Sequence, residues 1–512
     1  LGPAEPGTRQ PEVRRLKTRH VIIVGAGAGG LAAAVDLARQ GLAVTVLESA
    51  PTIGGKMRRL EAGGAAMDAG PTVFTMRWVF ESLFDDAGAS LEGALRLHKA
   101  DVLARHAWPQ GGVLDLHADL ERSEAAIRDF AGPDNAAGFR SFCARAADMH
   151  ATLAKPFMES QRPSMAELTF RAGNLAALWR TAPMATLWGS LGQHFPDQRL
   201  RQLFARYSTY VGSSPFKAPA TLMLIAHVEG QGVWLVEGGM HALARAVAGL
   251  AERLGATIRT SSPVKRILVS NGRATGVELA SGEQLQADAI VFNGDMSALG
   301  LGLLGDGARL ATAPAKPAQR GLSAIVWTAT EPTAGFALDH HNVFFGEDYA
   351  DEFECVFARR TVCPRPTVYI CAQDRGHGTV APGTAERMLV LVNAPADGDT
   401  RGFEPFARGE VAPRVRSLVK DCGLDVALDG ASSVVTGPDG FEALFPGTGG
   451  ALYGKANHGM MGSFSRPGAR SRLPGLYLAG GSVHPGAGVP MATLSGRLAA
   501  EALTLDLPRG RG

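Results

Sequence analysis

Residues 20–48 read HVIIVGAGAGGLAAAVDLARQGLAVTVLE, and the residue types change in an order that specifies strand, turn, helix and strand. His20-Val21-Ile22-Ile23-Val24 is a short apolar run of the kind buried in parallel sheets. After the glycines, Leu31, Ala34, Val35 and Ala38 recur at helical spacing, Gly41 ends the helix, and Ala43-Val44-Thr45-Val46-Leu47 forms a second strand. The intervening Gly25-Ala26-Gly27-Ala28-Gly29-Gly30 is a GxGxxG. Gly25 permits the tight turn, Gly27 admits a pyrophosphate against the backbone, and Gly30 lets helix pack on strand. Phosphates then meet the unpaired N–H groups and dipole of the helix N-terminus. Glu48, closing the second strand, is placed to accept hydrogen bonds from a ribose hydroxyl. A dinucleotide site is predicted.

Working outward, Met240, Leu243, Ala244, Val247, Leu250, Ala251 and Leu254 mark one face of a helix. Strands are predicted at 256–259, 264–269, 274–279 and 285–292, with hairpin turns at Asn271-Gly272 and Ser281-Gly282, giving a small antiparallel meander. Residues 76–229 read as mostly helical. Strand-like runs at 324–328, 343–345, 368–371 and 388–392, between loops rich in Pro and Gly, predict a second sheet. The chain finishes with a strand over 475–479, a glycine-rich loop and a helix over 491–503.

Bulk properties exclude several classes. With 512 residues there is room for two domains, and 46% hydrophobic with 20% charged residues is ordinary for a folded protein. A net charge of +2 argues against nucleic acid held by bulk electrostatics. Five scattered cysteines without a CxxC pair argue against disulfides or zinc. Pro364 and Pro366 separate the evenly spaced Cys355, Cys363 and Cys371, which read as buried thiols in a reducing compartment. His340-His341 with Asp339, Glu347, Asp348, Asp351 and Glu352 invites a metal, but the spacing matches no known ligand set. A solvated acidic loop is the preferred reading, and no metal is predicted. Residues 1–18 lack an apolar core for a signal peptide and read as a disordered leader; no run reaches the length of a spanning helix. Gly480 to His484 read GGSVH, so there is no GxSxG elbow.

The second decisive stretch is LPGLYLAGGSVHPGAGVPM at 473–491. It resembles the C-terminal signature of bacterial-type phytoene desaturases, departing at Val483, where that family usually has Thr or Ala. Ile53-Gly54-Gly55-Lys56 and Asp68-Ala69-Gly70-Pro71-Thr72 resemble the elements that follow the ribose acid in flavoproteins of the amine-oxidase and phytoene-desaturase superfamily. The likeness runs from His20 to Leu503. Residues 70–80 (GPTVFTMRWVF), 210–234 (YVGSSPFKAPATLMLIAHVEGQGVW) and 449–458 (GGALYGKANH), with Gly238-Gly239-Met240, resemble the branch that desaturates 1-hydroxylated carotenoids at the 3,4 bond.

The resemblance implies an α/β protein. A Rossmann-like FAD-binding domain is expected from 19–75, 230–300 and 441–505. A discontinuous α+β domain facing substrate and membrane is expected from 76–229 and 301–440. FAD contacts are expected at Gly25, Ala26, Gly27, Gly29, Gly30, Glu48, Gly55, Lys56, Gly70, Pro71, Thr72, Val264, Gly480, Gly481, Gly488, Val489 and Met491. For Lys56 taken alone, a solvated surface charge is the competing reading. The implied reaction is desaturation of an acyclic, 1-hydroxylated carotenoid by hydride transfer to flavin, with oxygen or a quinone as final acceptor. Alternatives are a phytoene desaturase or carotene isomerase, an amine oxidase, and a non-catalytic lipid carrier of the same fold, as in the GDP-dissociation inhibitors. An amine oxidase calls for an aromatic cage that the C-terminal loop lacks, and a carrier has no need of Glu48 and that loop.

A polyene requires an apolar tunnel, for which 74–84 and 204–236 are rich enough, although each residue alone reads equally as core. His484 is the candidate acid–base residue, with a structural histidine as the equal alternative; His458, Glu237 and His241 rank behind it. Residues 175–191 (LAALWRTAPMATLWGSL) read either as an interfacial segment or as a buried helix pair broken at Pro183. The expected location is cytoplasmic, peripheral to the inner or intracytoplasmic membrane.

Overall fold

Alternate side chains of the first strand serve two different cores. In the computed structural model, which describes residues 19–507 apart from 163–183, 377–379, 382, 429, 431, 460 and 461, Val21 and Ile23 pack under a layer of helices. Ile22 points the other way, with Leu47, Ile290 and Phe292, into a small meander. The strand lies at the centre of a five-stranded parallel sheet. In order across it run Leu476–Leu478, Ala289–Phe292, His20–Val24, Ala43–Leu47 and Thr257–Arg259. Three helices, Ala28–Ala38, Met240–Arg253 and Val489–Asp506, cover one face. The strands Val264–Ser270, Arg273–Leu279 and Gln284–Gln286 cover the other. Both ends of the chain therefore meet in one layer, as the two glycine clusters require. Asn271 and Gly272 have φ of +49° and +72°, the conformation that an Asn-Gly hairpin needs.

The apolar run at 285–292, expected as one strand, is two. Ala287 N–H still donates to Thr275 O in the meander, while Asp288 N–H donates to His20 O at the parallel sheet, 2.8 Å away. The chain changes sheets between these residues. A hydrophobic pattern reports burial, not which partner does the burying.

The second sheet has eight strands and is mixed. Ser323–Ala334 and Ala385–Ala394 form its long antiparallel centre, followed by Val368–Ala372 and His341–Phe344. His341–Phe344 then pairs in parallel with Val102–Ala107, which pairs with Val113–His117. Asp425–Val426 and Ser433–Thr436 both pair with Ser323–Ala334. The reading of 76–229 as mostly helical thus missed three strands, Leu97–Lys99 among them. Arg105 explains part of the error. It is a charged residue inside a strand, matched across the pair by Asp115 at 2.7 and 2.6 Å, a compensation invisible in the linear text.

One face of this sheet packs on Val415, Leu418 and Val419 of helix Ala412–Asp421. The other meets a helical layer containing Phe142, Phe204 and Tyr207. Most of the 175–191 segment lies outside the described residues. Its end, Leu187–Leu191, is a short helix with Leu187 and Leu191 fully buried, preceded by Met184, 75% exposed. Among the described residues no helix is long and apolar enough to cross a membrane. The leader 1–18 lies outside the described residues too.

Candidate functional site: a glycine-lined cleft between the two ends of the chain

The first strand delivers Gly25 in a positive-φ turn (+101°), and the helix that follows starts at Ala28 with no side chain capping it. Its leading N–H groups remain free for an anion. Gly27 is boxed in, since a β-carbon there would lie 2.9 Å from Asn293 Nδ2. On Gly30 a β-carbon would fall 2.0 Å from Gly25 O. Glu48, 7% exposed, accepts from Ala26 N at 2.7 Å through Oε2 and from Ala50 N at 2.9 Å through Oε1. Oε1 also accepts from Ser49 Oγ at 3.1 Å, and Oε2 keeps a second lone pair that a ribose hydroxyl could use. Val264 is brought to the same end: Ser262, two residues before it, donates its N–H to Glu48 O at 2.8 Å.

The C-terminal cluster closes on the first one. A β-carbon on Gly29 would lie 2.9 Å from both Gly480 N and Ala492 O. Helix Val489–Asp506 begins after Gly488 with no side-chain cap, so a second uncapped helix start, carrying Val489 and Met491, sits beside the first. Gly54 and Gly55 supply a third wall. Gly54 N–H donates to Ala26 O at 2.9 Å, and a β-carbon on Gly55 would stand 3.1 Å from Gly27 Cα. The expected glycines thus converge, although they are far apart in sequence.

Lys56 is not a solvated surface charge. Its Nζ donates to Leu452 O at 2.5 Å and lies 5.2 Å from the centre of the Phe445 ring. Burial lowers its pKa, with Asp295 opposing and Arg466 reinforcing that shift. Gly70 must be glycine because a β-carbon would meet Lys56 O at 1.8 Å. Pro71 follows, and Thr72 Oγ1 then bonds the Tyr369 hydroxyl at 2.7 Å, joining this strap to the second sheet. Asp68, at the head of the strap, accepts from the N–H groups of Met240 and His241 and so caps helix Met240–Arg253. Gly239 leaves the space for that carboxylate.

Two contributors had no signal in the reading of the sequence. Asn293 ends a parallel strand and donates to Gly25 O at 3.1 Å, holding the turn. A polar residue just past a buried strand is where open α/β sheets place their ligand contacts, and that is the clue it carried. Arg466, 4% exposed, ties Gly481 O (2.7 Å) to Tyr453 O (2.8 Å) and Lys455 O (3.1 Å). Burial pulls its pKa down to about 10. A lone arginine has no spacing to betray such a role.

The remaining candidates divide. His484, 2% exposed, stands edge-on to Phe157, with ring centres 4.9 Å apart. Burial lowers its pKa to about 4, against the opposing pull of the Phe157 and Ser160 backbone. These contacts fix the ring in the loop, while its Nε2 is buried with no hydrogen-bond partner, so a structural and an acid–base role both fit. His458 Nε2 accepts from Ser214 N at 3.0 Å, and Glu237 lies beside His98 at 3.5 Å. The reading of 339–352 as a solvated acidic loop does not hold. His341 and Asn342 are buried strand residues, and Asp348 caps helix Tyr349–Phe357. His340, His341 and Cys371 present ligand-type atoms within 4.8 Å of one another. His340 Nδ1 is engaged by Arg375 O at 2.7 Å, and burial pushes the Cys371 thiol up, keeping it protonated. All five cysteines are free thiols, and Cys355 and Cys363 both approach Asp351.

Two uncapped helix starts, a buried acid and a glycine cleft built from the N- and C-terminal segments fit a flavin site. The chain belongs to the flavin-containing amine oxidoreductase family, whose model matches residues 28–504. It is 52% identical over 498 residues to a hydroxyneurosporene desaturase of Rubrivivax gelatinosus, spanning 96% of this chain and 94% of that one. To a hydroxyneurosporene desaturase of Cereibacter sphaeroides it is 44% identical, over 95% and 98% of the two chains. Among solved structures, a putrescine oxidase bound to putrescine has a TM-score of 0.58 at 16% identity, covering 95% of this chain and 99% of that one, and shares its fold.

Proposed function

We propose that this protein is an FAD-dependent desaturase that introduces a C–C double bond into an acyclic, 1-hydroxylated carotenoid. The observation that carries the reading is the convergence of Gly29 with Gly480 and Ala492 at backbone distance. It builds one cleft from the dinucleotide motif and from the C-terminal element that resembles carotenoid desaturases. The full-length likeness to hydroxyneurosporene desaturases supports the substrate class.

In this reading the N–H groups at the start of helix Ala28–Ala38 take the pyrophosphate, and Glu48 takes the adenosine ribose. Gly55, Lys56, Gly70, Pro71, Thr72, Gly480, Gly481, Gly488, Val489 and Met491 surround the remainder, and Val264 lies at the adenosine end. Bound FAD supplies the two-electron acceptor that no side chain provides, receiving a hydride from one carbon while the neighbouring carbon loses a proton. Arg466 keeps positive charge beside the cleft, and the Lys56 ammonium or amine stands next to it. The electrons pass finally to oxygen or a quinone. A substrate dissolved in lipid places the enzyme at a membrane surface, on the cytoplasmic side of the inner or intracytoplasmic membrane.

The test is a visible spectrum of the purified protein, followed by incubation with phytoene, neurosporene and 1-hydroxyneurosporene in liposomes. Flavin bands and a more conjugated product from the hydroxylated substrate are expected. Reaction with phytoene alone overturns the substrate assignment and leaves the cofactor; a colourless protein without affinity for FAD overturns both.

A further inference from the structure

The second sheet carries a buried polar chain that runs from Thr72, beside the nucleotide cleft, to a histidine outside it. His341 is 3% exposed, and its Nδ1 lies 2.8 Å from the Tyr369 hydroxyl, which in turn lies 2.7 Å from Thr72 Oγ1. The other ring nitrogen, Nε2, is buried with no hydrogen-bond partner. Among the described residues the Nε2 atoms of His106, His194 and His484 are buried and unpartnered too, but that of His341 ends a chain of side-chain hydrogen bonds on an apolar face, which is what sets it apart as a place for a ligand.

The surroundings say which ligand. His341 stands opposite Cys371, and Val343 opposite Tyr369, so all four project from one face of the sheet. The same face continues through Leu389, Leu391 and Val326, an aliphatic wall. Tyr369 packs against the same buried cluster as Phe445 and Leu452, the residues that receive Lys56, and Thr72 follows the Gly70 strap pressed on Lys56 O. The polar chain therefore starts beside the cofactor cleft and ends in an open nitrogen on an apolar wall.

We infer that His341 Nε2 binds the terminal hydroxyl of the polyene, with Tyr369 and Thr72 fixing the ring. This rests on the desaturase reading above. Burial, reinforced by His340 and Arg206, keeps the imidazole neutral. A neutral ring has one N–H donor and one acceptor, and whichever role Nδ1 takes with Tyr369, a hydroxyl can answer the other at Nε2. The neighbours that act electrostatically on the ring, His340 and Arg206, are of cationic sign, which disfavours an ammonium. For a bond between C3 and C4, a hydroxyl on C1 has to be held near the reacting carbons, and two hydrogen bonds, of 2.8 and 2.7 Å, link His341 through Tyr369 to Thr72 on the strap beside the cleft.

The experiment uses the flavin-loaded full chain with two carotenes that differ only at C1, neurosporene and 1-hydroxyneurosporene, in liposomes. Binding is read by quenching of tryptophan fluorescence, and turnover by product spectra. His341→Leu is expected to cut affinity and kcat/KM for the hydroxylated carotene by about ten- to a hundredfold, leaving neurosporene within about twofold. His341→Gln, which keeps a polar tip, is expected to retain part of the preference, and Tyr369→Phe, a smaller change that folds more safely, to reduce it in the same direction. Equal losses on both carotenes, or an unchanged ratio in all three variants, overturn the inference while leaving the desaturase reading intact. So does a preference that moves instead with Thr328→Val, which removes a second unpartnered buried hydroxyl on this face. One equivalent of a transition metal held by wild type and lost in His341→Leu also overturns it, because the metal would occupy Nε2. Failure of flavin-loaded wild type to desaturate either carotene sinks the desaturase reading, and this inference with it.

Discussion

Gly496 lies so close to Gly29 that a β-carbon on it would stand 1.9 Å from the Gly29 carbonyl oxygen. The helix from the C-terminus and the helix from the N-terminus touch through bare backbone, and that contact sets the width of the cofactor cleft. Gly496→Ala is therefore expected to force the helices apart. The cost should be at least 1–3 kcal/mol, roughly the price of overpacking a dense core. Lower Tm and FAD lost on gel filtration are the checks. Gly249→Ala is the control. It is also inside a helix, but its β-carbon would meet only Arg253 Nη1 at 3.7 Å, so it should be neutral or slightly stabilising.

Glu48 holds the glycine turn from across the sheet. Glu48→Ala leaves Ala26 N–H without its buried acceptor, a loss of about 1–3 kcal/mol, and removes the oxygen proposed above to take the ribose. Both stability and FAD affinity should fall. Glu48→Gln keeps one acceptor oxygen and is expected to recover most of the stability but less of the affinity. Titration of the apoprotein with FAD, alongside thermal melts, separates the two effects. Equal recovery of both would mean that the carboxylate serves the fold alone.

These two positions also show what was legible in the sequence. Gly25, Gly27, Gly29 and Gly30 are demanded by local backbone geometry and close approach, constraints that few other residues satisfy, so identity alone announced them. The same holds for Gly480 and Gly488, with φ of +108° and +111°. Asn293 holds Gly25 O across 268 residues, and Arg466 ties three carbonyls 11 to 15 residues away, contacts that no spacing or period of residue types announces. The strand Val102–Ala107 was lost for a related reason: its charge is answered by Asp115 on the next strand, after a turn that the pattern did not reveal. Period and composition describe one element at a time; the second sheet is assembled from segments some two hundred residues apart.

Lys56 offers a cleaner functional test than the glycines because its removal leaves the helices in place. Lys56→Met keeps most of the stem and its packing on Phe445 but deletes the bond to Leu452 O and a positive charge beside the cleft. Tm should change by little. FAD affinity should weaken by about tenfold or more, since a partly buried charge facing an anion is poorly replaced by water. A flavin Kd unchanged in Lys56→Met would place the side chain in a purely structural tie to the 445–452 loop.

Acid should destabilise this protein over a window set by its buried histidines. Burial lowers the pKa of His484 and of His458 to about 4, and that of His106 to about 3, against 6.5 when exposed. The unfolded chain then binds protons that the folded one refuses. The stability these groups contribute is complete above pH 6.5 and is lost progressively down to about pH 4 for His458. His458 gives the clearest readout, because its Nε2 accepts from Ser214 N at 3.0 Å and protonation ends that bond. Its share is about 1–3 kcal/mol after allowing for its partial exposure. His458→Gln can supply an acceptor yet cannot titrate, so its Tm should fall less steeply than wild type between pH 6.5 and 4. Carboxylates such as Asp374 and Asp399, whose pKa values arginine partners lower, act below pH 3.8, and Asp68, Glu229 and Glu352, raised by burial, titrate in both proteins alike and cancel in the comparison. Parallel Tm profiles for the two proteins across it would show that the His458 proton is not linked to folding.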